Sequence, residues 1–379
     1  MFSEVIGQEE LKNQLLKSVR ENRVSHAQLF VGAEGTGALP VAVAYAQYIL
    51  CEERQPEDAC GKCSSCIKSS RFIHPDLHFS YPTIGAGTKS SELIAQWREA
   101  YFQNPYLGLE EWLRHIADEN KQGNITALEC YDIIKRLSLK TFESRYKVLI
   151  MWMPELLGKE GNILLKLLEE PPDNTVILMV AQDTEHILNT IQSRTQLVRI
   201  NKLSAADIAE RLQEKEGLAL EEALSIARLS DGNYNQAVKI LSQKTTDHIE
   251  MFREWMRLVL KNDRSQIIAW VDANASVGRE NLKNYFRYAL TILRETLMHS
   301  NVSGYTMRLQ DGEQKIAEYL ARQLSFHQIS AIYELINKAH YHVERNAQAK
   351  ILLLDLSIKM VNIILNKKAI TTQVDQYKY

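Results

Sequence analysis

Two stretches of the chain have residue types and spacing that could do chemistry. The first is Gly32-Ala33-Glu34-Gly35-Thr36-Gly37-Ala38-Leu39. A phosphate-binding loop reads G-x-x-x-x-G-K-[ST]: its backbone cradles phosphate, its lysine reaches the β and γ phosphates, and its hydroxyl binds Mg²⁺. Gly32 and Gly37 fit that frame, with Gly35 between them, but Ala38 stands at the lysine position and Leu39 at the hydroxyl position. Pro40 then removes a backbone N–H from the helix start that would face phosphate. The loop has a phosphate site's outline without its cation or metal ligand, which speaks against ATP hydrolysis and leaves ATP binding without its main contacts. A plain glycine-rich turn is the simpler alternative.

The second stretch is Cys51 followed by Cys60-Gly61-Lys62-Cys63-Ser64-Ser65-Cys66. Two successive C-x-x-C spacings let three thiolates face one ion, and Cys51 can close a tetrahedron from the end of the preceding helix. Four sulfur ligands favour Zn²⁺ in a closed structural site; an iron–sulfur cluster or free thiols are the alternatives. A catalytic zinc needs an open position, and a nucleobase deaminase would carry H-x-E ahead of P-C-x-x-C. Ala59 precedes Cys60 and no His-x-Glu lies upstream, so the expected role is to staple a module of about residues 51–70.

Positioning these groups requires a strand-fed loop. Ala27 to Val31 is a short apolar run that leads straight into the glycines, and a helix follows over Val41 to Ile49. Strand, glycine loop and helix open a nucleotide-binding α/β domain. Leu77 to Tyr81, Tyr146 to Met153, Thr175 to Ala181 and Gln196 to Ile200 read as further strands, with a helix over Asn162 to Glu170 stopped by Pro171-Pro172. The alternation predicts a parallel sheet with helices on both faces. In a working site one strand ends in carboxylates that hold the metal, but Lys147 to Met153 ends in Trp152 and Met153 before Pro154-Glu155. Residues 82–122 read as an elaboration, first rich in Gly and Ser, then aromatic and helical. Its Trp97, Tyr101, Phe102, Tyr106 and Trp112 could stack on bases, but few basic residues interleave with them, which favours packing. His26, His74 and the Glu169-Glu170 pair read as structural rather than catalytic.

After Asn201 helical periodicity takes over. Ser204 with Asp207 three residues on starts a helix, and Leu220 to Leu229 and Asn233 to Ser242 complete a small three-helix unit. About five longer amphipathic helices are expected from Thr246 to Leu365, then a polar tail. The 379 residues fit two or three domains, and a net charge of −2 excludes a chain that is basic throughout, so any DNA contact is local or shared. The start of the sequence has no basic stretch followed by an apolar run, and no window reaches the ~18 apolar residues of a spanning helix. The expectation is a cytoplasmic protein with no membrane contact.

Val5-Ile6-Gly7-Gln8, Ser25-His26-Ala27-Gln28-Leu29-Phe30, the glycine loop, the cysteine cluster, Leu164-Leu165-Lys166-Leu167-Leu168-Glu169-Glu170-Pro171-Pro172 and Ile191-Gln192-Ser193-Arg194-Thr195 occur in this order. This set resembles the AAA+ clamp-loader ATPases of bacterial DNA polymerase III, densely from residue 1 to about 240 apart from 82–122. A silent loop beside a zinc module resembles the family's delta-prime members. The resemblance implies an AAA+ α/β domain over 1–201, a helical lid over 202–243, a helical oligomerisation collar over 244–370 and a tail over 371–379. It implies a hetero-pentameric ring with other loader subunits that opens the sliding clamp and places it on primer-template DNA. The chain would be no enzyme by itself, though grouped with its holoenzyme, a DNA-directed DNA polymerase and nucleotidyltransferase. The family's arginine finger lies in a Ser-Arg-Cys motif; here Ser193-Arg194-Thr195 keeps the arginine and lacks the cysteine, so Arg194 would reach a neighbour's ATP. A surface ion pair is its plainer reading. Active members sense nucleotide through an arginine in Gly-x-x-Arg-x-Ala, and here Asn235 stands at that position. The rival readings are an active AAA+ ATPase with a divergent site and a zinc-containing DNA-binding module.

Overall fold

Five strands, β1 (Ala27–Val31), β2 (Leu77–Ser80), β3 (Lys147–Trp152), β4 (Thr175–Ala181) and β5 (Gln196–Arg199), form one sheet in the order β2-β3-β4-β1-β5. Every pairing is parallel, and Leu29 lies opposite both Met179 and Leu197. Each strand falls within a residue of its sequence expectation. The sheet is the parallel, helix-flanked sheet of an α/β domain. This computed structural model describes residues 1–365, apart from 86, 118–120, 243–245, 276–277, 303, 308, 310 and 345–346. The chain divides into two units, Met1–Val238 and Lys239–Tyr379.

Side chains alternate across a pleated strand, so each strand feeds two cores. On one face Phe30, Val148, Ile150, Trp152, Val176, Leu178 and Val180 pack with α1 (Glu9–Arg20) and α2 (Ala38–Leu50). On the other, Leu29, Leu149, Met151, Ile177 and Met179 pack with later helices, including α6 below. Every residue of α2 is buried, because sheet, α1, the cysteine module and the insertion cover it on all sides. A helix that is apolar all round fits only such a place. The module carries α3 (Ser64–Ser70); the insertion carries a 3-10 turn (Ser90–Leu93), α4 (Ile94–Gln103) and α5 (Leu109–Ile116); α6 (Ala127–Ser138) leads back to β3.

The helix expected over 162–170 is shorter. A 3-10 segment spans Pro154–Leu164, broken at Gly158, where φ is 51°, and α7 is only Leu165–Glu169. Pro154 starts the segment and a left-handed glycine inside it prevents a continuous α-helix. Beyond it come α8 (Asn189–Gln192), α9 (Ala205–Glu216), α10 (Leu220–Leu229) and α11 (Tyr234–Ser242). Ser204 caps α9 through the Asp207 N–H at 3.1 Å.

Among the described residues the second unit has six helices rather than about five: α12 (Thr246–Lys261), α13 (Arg264–Asn274), α14 (Arg279–Asn301), α15 (Asp311–Gln323), α16 (Phe326–Glu344) and α17 (Ala349–Leu365). Trp255 and Trp270 stack at 5.3 Å in its core, and Trp255 Nε1 donates to Ser357 Oγ at 2.8 Å. The tail expected over 371–379, with 366–370 of the expected collar, lies outside the described residues. No helix among the described residues is long and apolar enough to cross a membrane.

Candidate functional site

The glycine loop forms where β1 ends. Gly32 N–H donates to Ala181 O on β4 at 3.1 Å, and Thr36 folds the loop on itself by donating its N–H and Oγ1 to Ala33 O at 3.2 and 2.7 Å. Gly35 (φ +72°) and Gly37 (φ +96°) are left-handed, and a Cβ at Gly35 would lie 1.8 Å from Asn233 Oδ1. The segment ahead of α11 therefore rests directly on the loop, and Tyr234 N–H donates to Gly35 O at 3.0 Å. Ala38, Leu39 and Pro40, at the start of α2, are buried.

The insertion crosses the mouth of this loop between α4 and α5. The Tyr106 ring covers Gly37, where a Cβ would stand 3.1 Å from Cε1. Its hydroxyl accepts the Ile6 N–H at 2.8 Å, and its ring meets Tyr234 at 4.9 Å. Asn235 donates through Nδ2 to Glu34 Oε1 at 3.2 Å and to Glu111 Oε2 at 2.9 Å, and its Oδ1 accepts from Asn104 at 2.6 Å. That spends both hydrogens of its amide. Glu111 also accepts the Gly108 N–H at 2.9 Å, and a Cβ on Gly108 would fall 2.6 Å from Glu34 Cδ. The cavity left among the loop, Pro105 to Leu107 and the ends of β3 and β4 is about 30 Å³. That is room for about one water, whereas small-molecule pockets run to roughly 300 Å³ or more.

The acid half of the site is filled too. Trp152 and Met153 are each 4% exposed. Trp152 packs on Trp97 at 5.2 Å; Trp97 stacks on Tyr81 at 4.2 Å and meets Trp112 edge-on at 5.2 Å. Trp112 Nε1 donates to Pro82 O at 2.7 Å. The insertion's aromatics are thus core, with only Phe102 about half exposed. Met153 is left-handed (φ 60°), and Glu155, the first acid after β3, turns to accept the N–H groups of Gln182 and Asp183. Burial raises its carboxyl above the usual range despite those donors.

The four cysteines converge. The Sγ atoms of Cys51, Cys60, Cys63 and Cys66 all lie within 4.8 Å of one another, with Cys60 and Cys66 3.9 Å apart. Zn–S bonds of about 2.3 Å make a tetrahedron with edges of about 3.8 Å, so the donor set fits a closed structural zinc. Backbone N–H groups of Cys60, Cys63 and Cys66 donate to the sulfurs of Cys51, Cys60 and Cys63 at 3.3–3.4 Å, which favours thiolates. Gly61 (φ +71°) makes the turn between ligands. His74, buried beside the module, bonds Ser65 Oγ at 2.7 Å, and His26 bonds Leu168 O at 3.0 Å.

Arg194 stands just past α8, far in sequence from the loop and outside the groups that fill it. It forms an ion pair with Glu169, its Nε donating at 2.7 Å and its Nη2 closer still. Nη1 donates to Thr190 O at 2.8 Å. The side chain is 32% exposed. Of the paired acids, Glu169 therefore serves Arg194. Sequence reasoning missed Glu34, Asn104, Tyr106 and Glu111 as parts of the loop's surroundings. The one signal available was the polar-aromatic run Asn104-Pro105-Tyr106 between two helical stretches.

A family model described as DNA polymerase III, delta subunit, matches residues 7–204, just over half of the chain. The chain is 27% identical to the DNA polymerase III subunit delta′ of Bacillus subtilis (strain 168) over 202 residues, 53% of this chain and 50% of that one. It is 21% identical to the tau subunit of the same organism over 370 residues, 90% of this chain and 58% of that one. It is 24% identical to the gamma/tau subunit of Mycobacterium tuberculosis (strain ATCC 25618 / H37Rv) over 248 residues, 64% of this chain and 36% of that one. The chain thus spans less than two thirds of the length of each of these curated relatives. A crystal structure of a gamma subunit-related protein of DNA polymerase III from Thermotoga maritima aligns at 15% identity with a TM-score of 0.37, covering 94% of this chain and all of that one. By the match over residues 7–204, the chain belongs to the DNA polymerase III clamp-loader subunit family.

Proposed function

We propose that this chain is the non-catalytic, delta-prime-type subunit of its clamp loader. The observation that carries this reading is the filled loop. The lysine and hydroxyl positions are Ala38 and Leu39, the acid positions are Trp152 and Met153, and about 30 Å³ remains between them. In this reading the chain neither holds nor hydrolyses ATP. It joins the other loader subunits in a hetero-pentamer, meets the sliding clamp and primer-template DNA as part of that assembly, and supplies Arg194 to a neighbour's ATP. Residues 1–201 are the α/β domain, 202–243 the lid and 244–370 the oligomerisation collar, and the four cysteines hold a structural zinc.

The purified chain is expected to show no ATP turnover above background, and to enter a stable complex on size-exclusion chromatography when mixed with the remaining loader subunits. Turnover by the chain alone would make it an active gamma/tau-type ATPase with a divergent site. Failure to form the complex would favour a zinc-containing DNA-binding module.

A further inference from the structure

We propose that residues 104–111 are a fixed internal plug that takes the place of a nucleotide and ties the segment around α11 to the α/β body. Ligands draw lids onto active sites by contacting both sides at once. Here protein side chains make both sets of contacts. Toward the body, Tyr106 covers Gly37 and bonds the Ile6 N–H, and Gly108 sits on the Glu34 carboxylate. Toward α11, Asn104 and Glu111 bond Asn235, and Tyr106 packs on Tyr234. The plug is held at its two ends by the buried Trp97 of α4 and Trp112 of α5, which meet each other and Tyr81 in the core.

Charge points the same way as shape. A phosphate cradle is electropositive, built from backbone N–H groups and a lysine. This loop instead presents Glu34, and the plug adds Glu111, with both carboxylates bonded to one amide nitrogen. Two acidic side chains thus stand where a phosphate cradle has a lysine. The arrangement is therefore set when the chain folds and does not change with nucleotide. The inference concerns the isolated chain and does not depend on its place in a clamp loader.

Hydrogen exchange of the full-length zinc-bound chain, with and without MgATP, tests it. In the unaltered protein, exchange over 205–238 and 32–40 is expected to be the same with and without MgATP. Asn235→Ala and Tyr106→Ala should speed exchange over 205–238 by about tenfold, the factor that corresponds to about 1.4 kcal/mol of lost docking. Strands β1 and β3 should keep their protection. Slower exchange over 205–238 when MgATP is added to the unaltered protein overturns the proposal, as does unchanged exchange in the variants. Should Tyr106→Ala lose strand protection as well, Asn104→Ala, which removes the bonds to Asn235 and to the Tyr106 N–H, and Tyr106→Phe, which removes the one to the Ile6 N–H, must still loosen 205–238 selectively; if they do not, the plug is not what holds it.

Discussion

Ala38 marks the difference between a site that has lost a residue and a site that has lost its space. Were only the lysine missing, restoring it would go some way toward phosphate binding. Ala38 is 7% exposed and belongs to the core, and Leu39 beside it is more buried still. A lysine there must place its ammonium in a cavity of about 30 Å³ or push the plug aside. Forcing extra atoms into a packed core costs about 1–3 kcal/mol, and burying a charge without a partner adds to that. Ala38→Lys combined with Leu39→Thr is thus expected to destabilise the chain by about 2–4 kcal/mol and to give no ATP turnover. Urea melts with an unchanged m-value, read beside an ATPase assay, check both halves. A double variant as stable as the parent that also turns over ATP would show that packing does not silence the site.

At the scale of elements, the parts readable from sequence were those with local signals. Strand β1 and its glycine loop announce themselves by an apolar run followed by Gly32, Gly35 and Gly37, and the cysteine module by two C-x-x-C spacings. The plug had no such signal, because its bonds join residues distant in the chain: Ile6 to Tyr106, Asn104 to Asn235, Glu34 to Asn235. The aromatic run favours packing for Tyr106, but nothing local says against which part of the chain. The expected helix over 162–170 is α only from Leu165, because residues 162–164 close the 3-10 segment and apolar spacing alone does not separate the two helix types. In the proposed reading the cysteine module is the element whose stability rests on a bound zinc. Its short helix α3 is seven residues long, too short to persist on its own. We expect about one zinc per chain by metal analysis. Removing it with a strong chelator should open 51–70 to proteolysis while β1 and β3 keep their hydrogen-exchange protection. Much less than one ion per chain, or no local opening on chelation, would leave the four thiols without a structural role.

At the scale of the whole molecule, an α/β unit and an all-helical unit share one chain, and the proposed function makes Arg194 the group that acts on another subunit. Its bonds to Glu169 and Thr190 hold it ready rather than bury it, since both members of the ion pair are partly exposed. An exposed pair is worth about 0–1 kcal/mol, so a neighbour's γ-phosphate can take the guanidinium from Glu169 at small cost. An arginine that neutralises charge on a transferring phosphoryl is worth roughly 10³–10⁵ in rate at the site it serves. Arg194→Ala should therefore leave complex formation intact and lower the DNA-stimulated ATPase of the reconstituted loader by the share of the one site it completes. Arg194→Lys keeps the charge but loses the planar fork, and should rescue little of that loss. Glu169→Gln supplies the opposite control. It frees the guanidinium without removing it, so the rate should hold or rise. An unchanged ATPase for Arg194→Ala in an intact complex would return Arg194 to the plainer role of partner to Glu169.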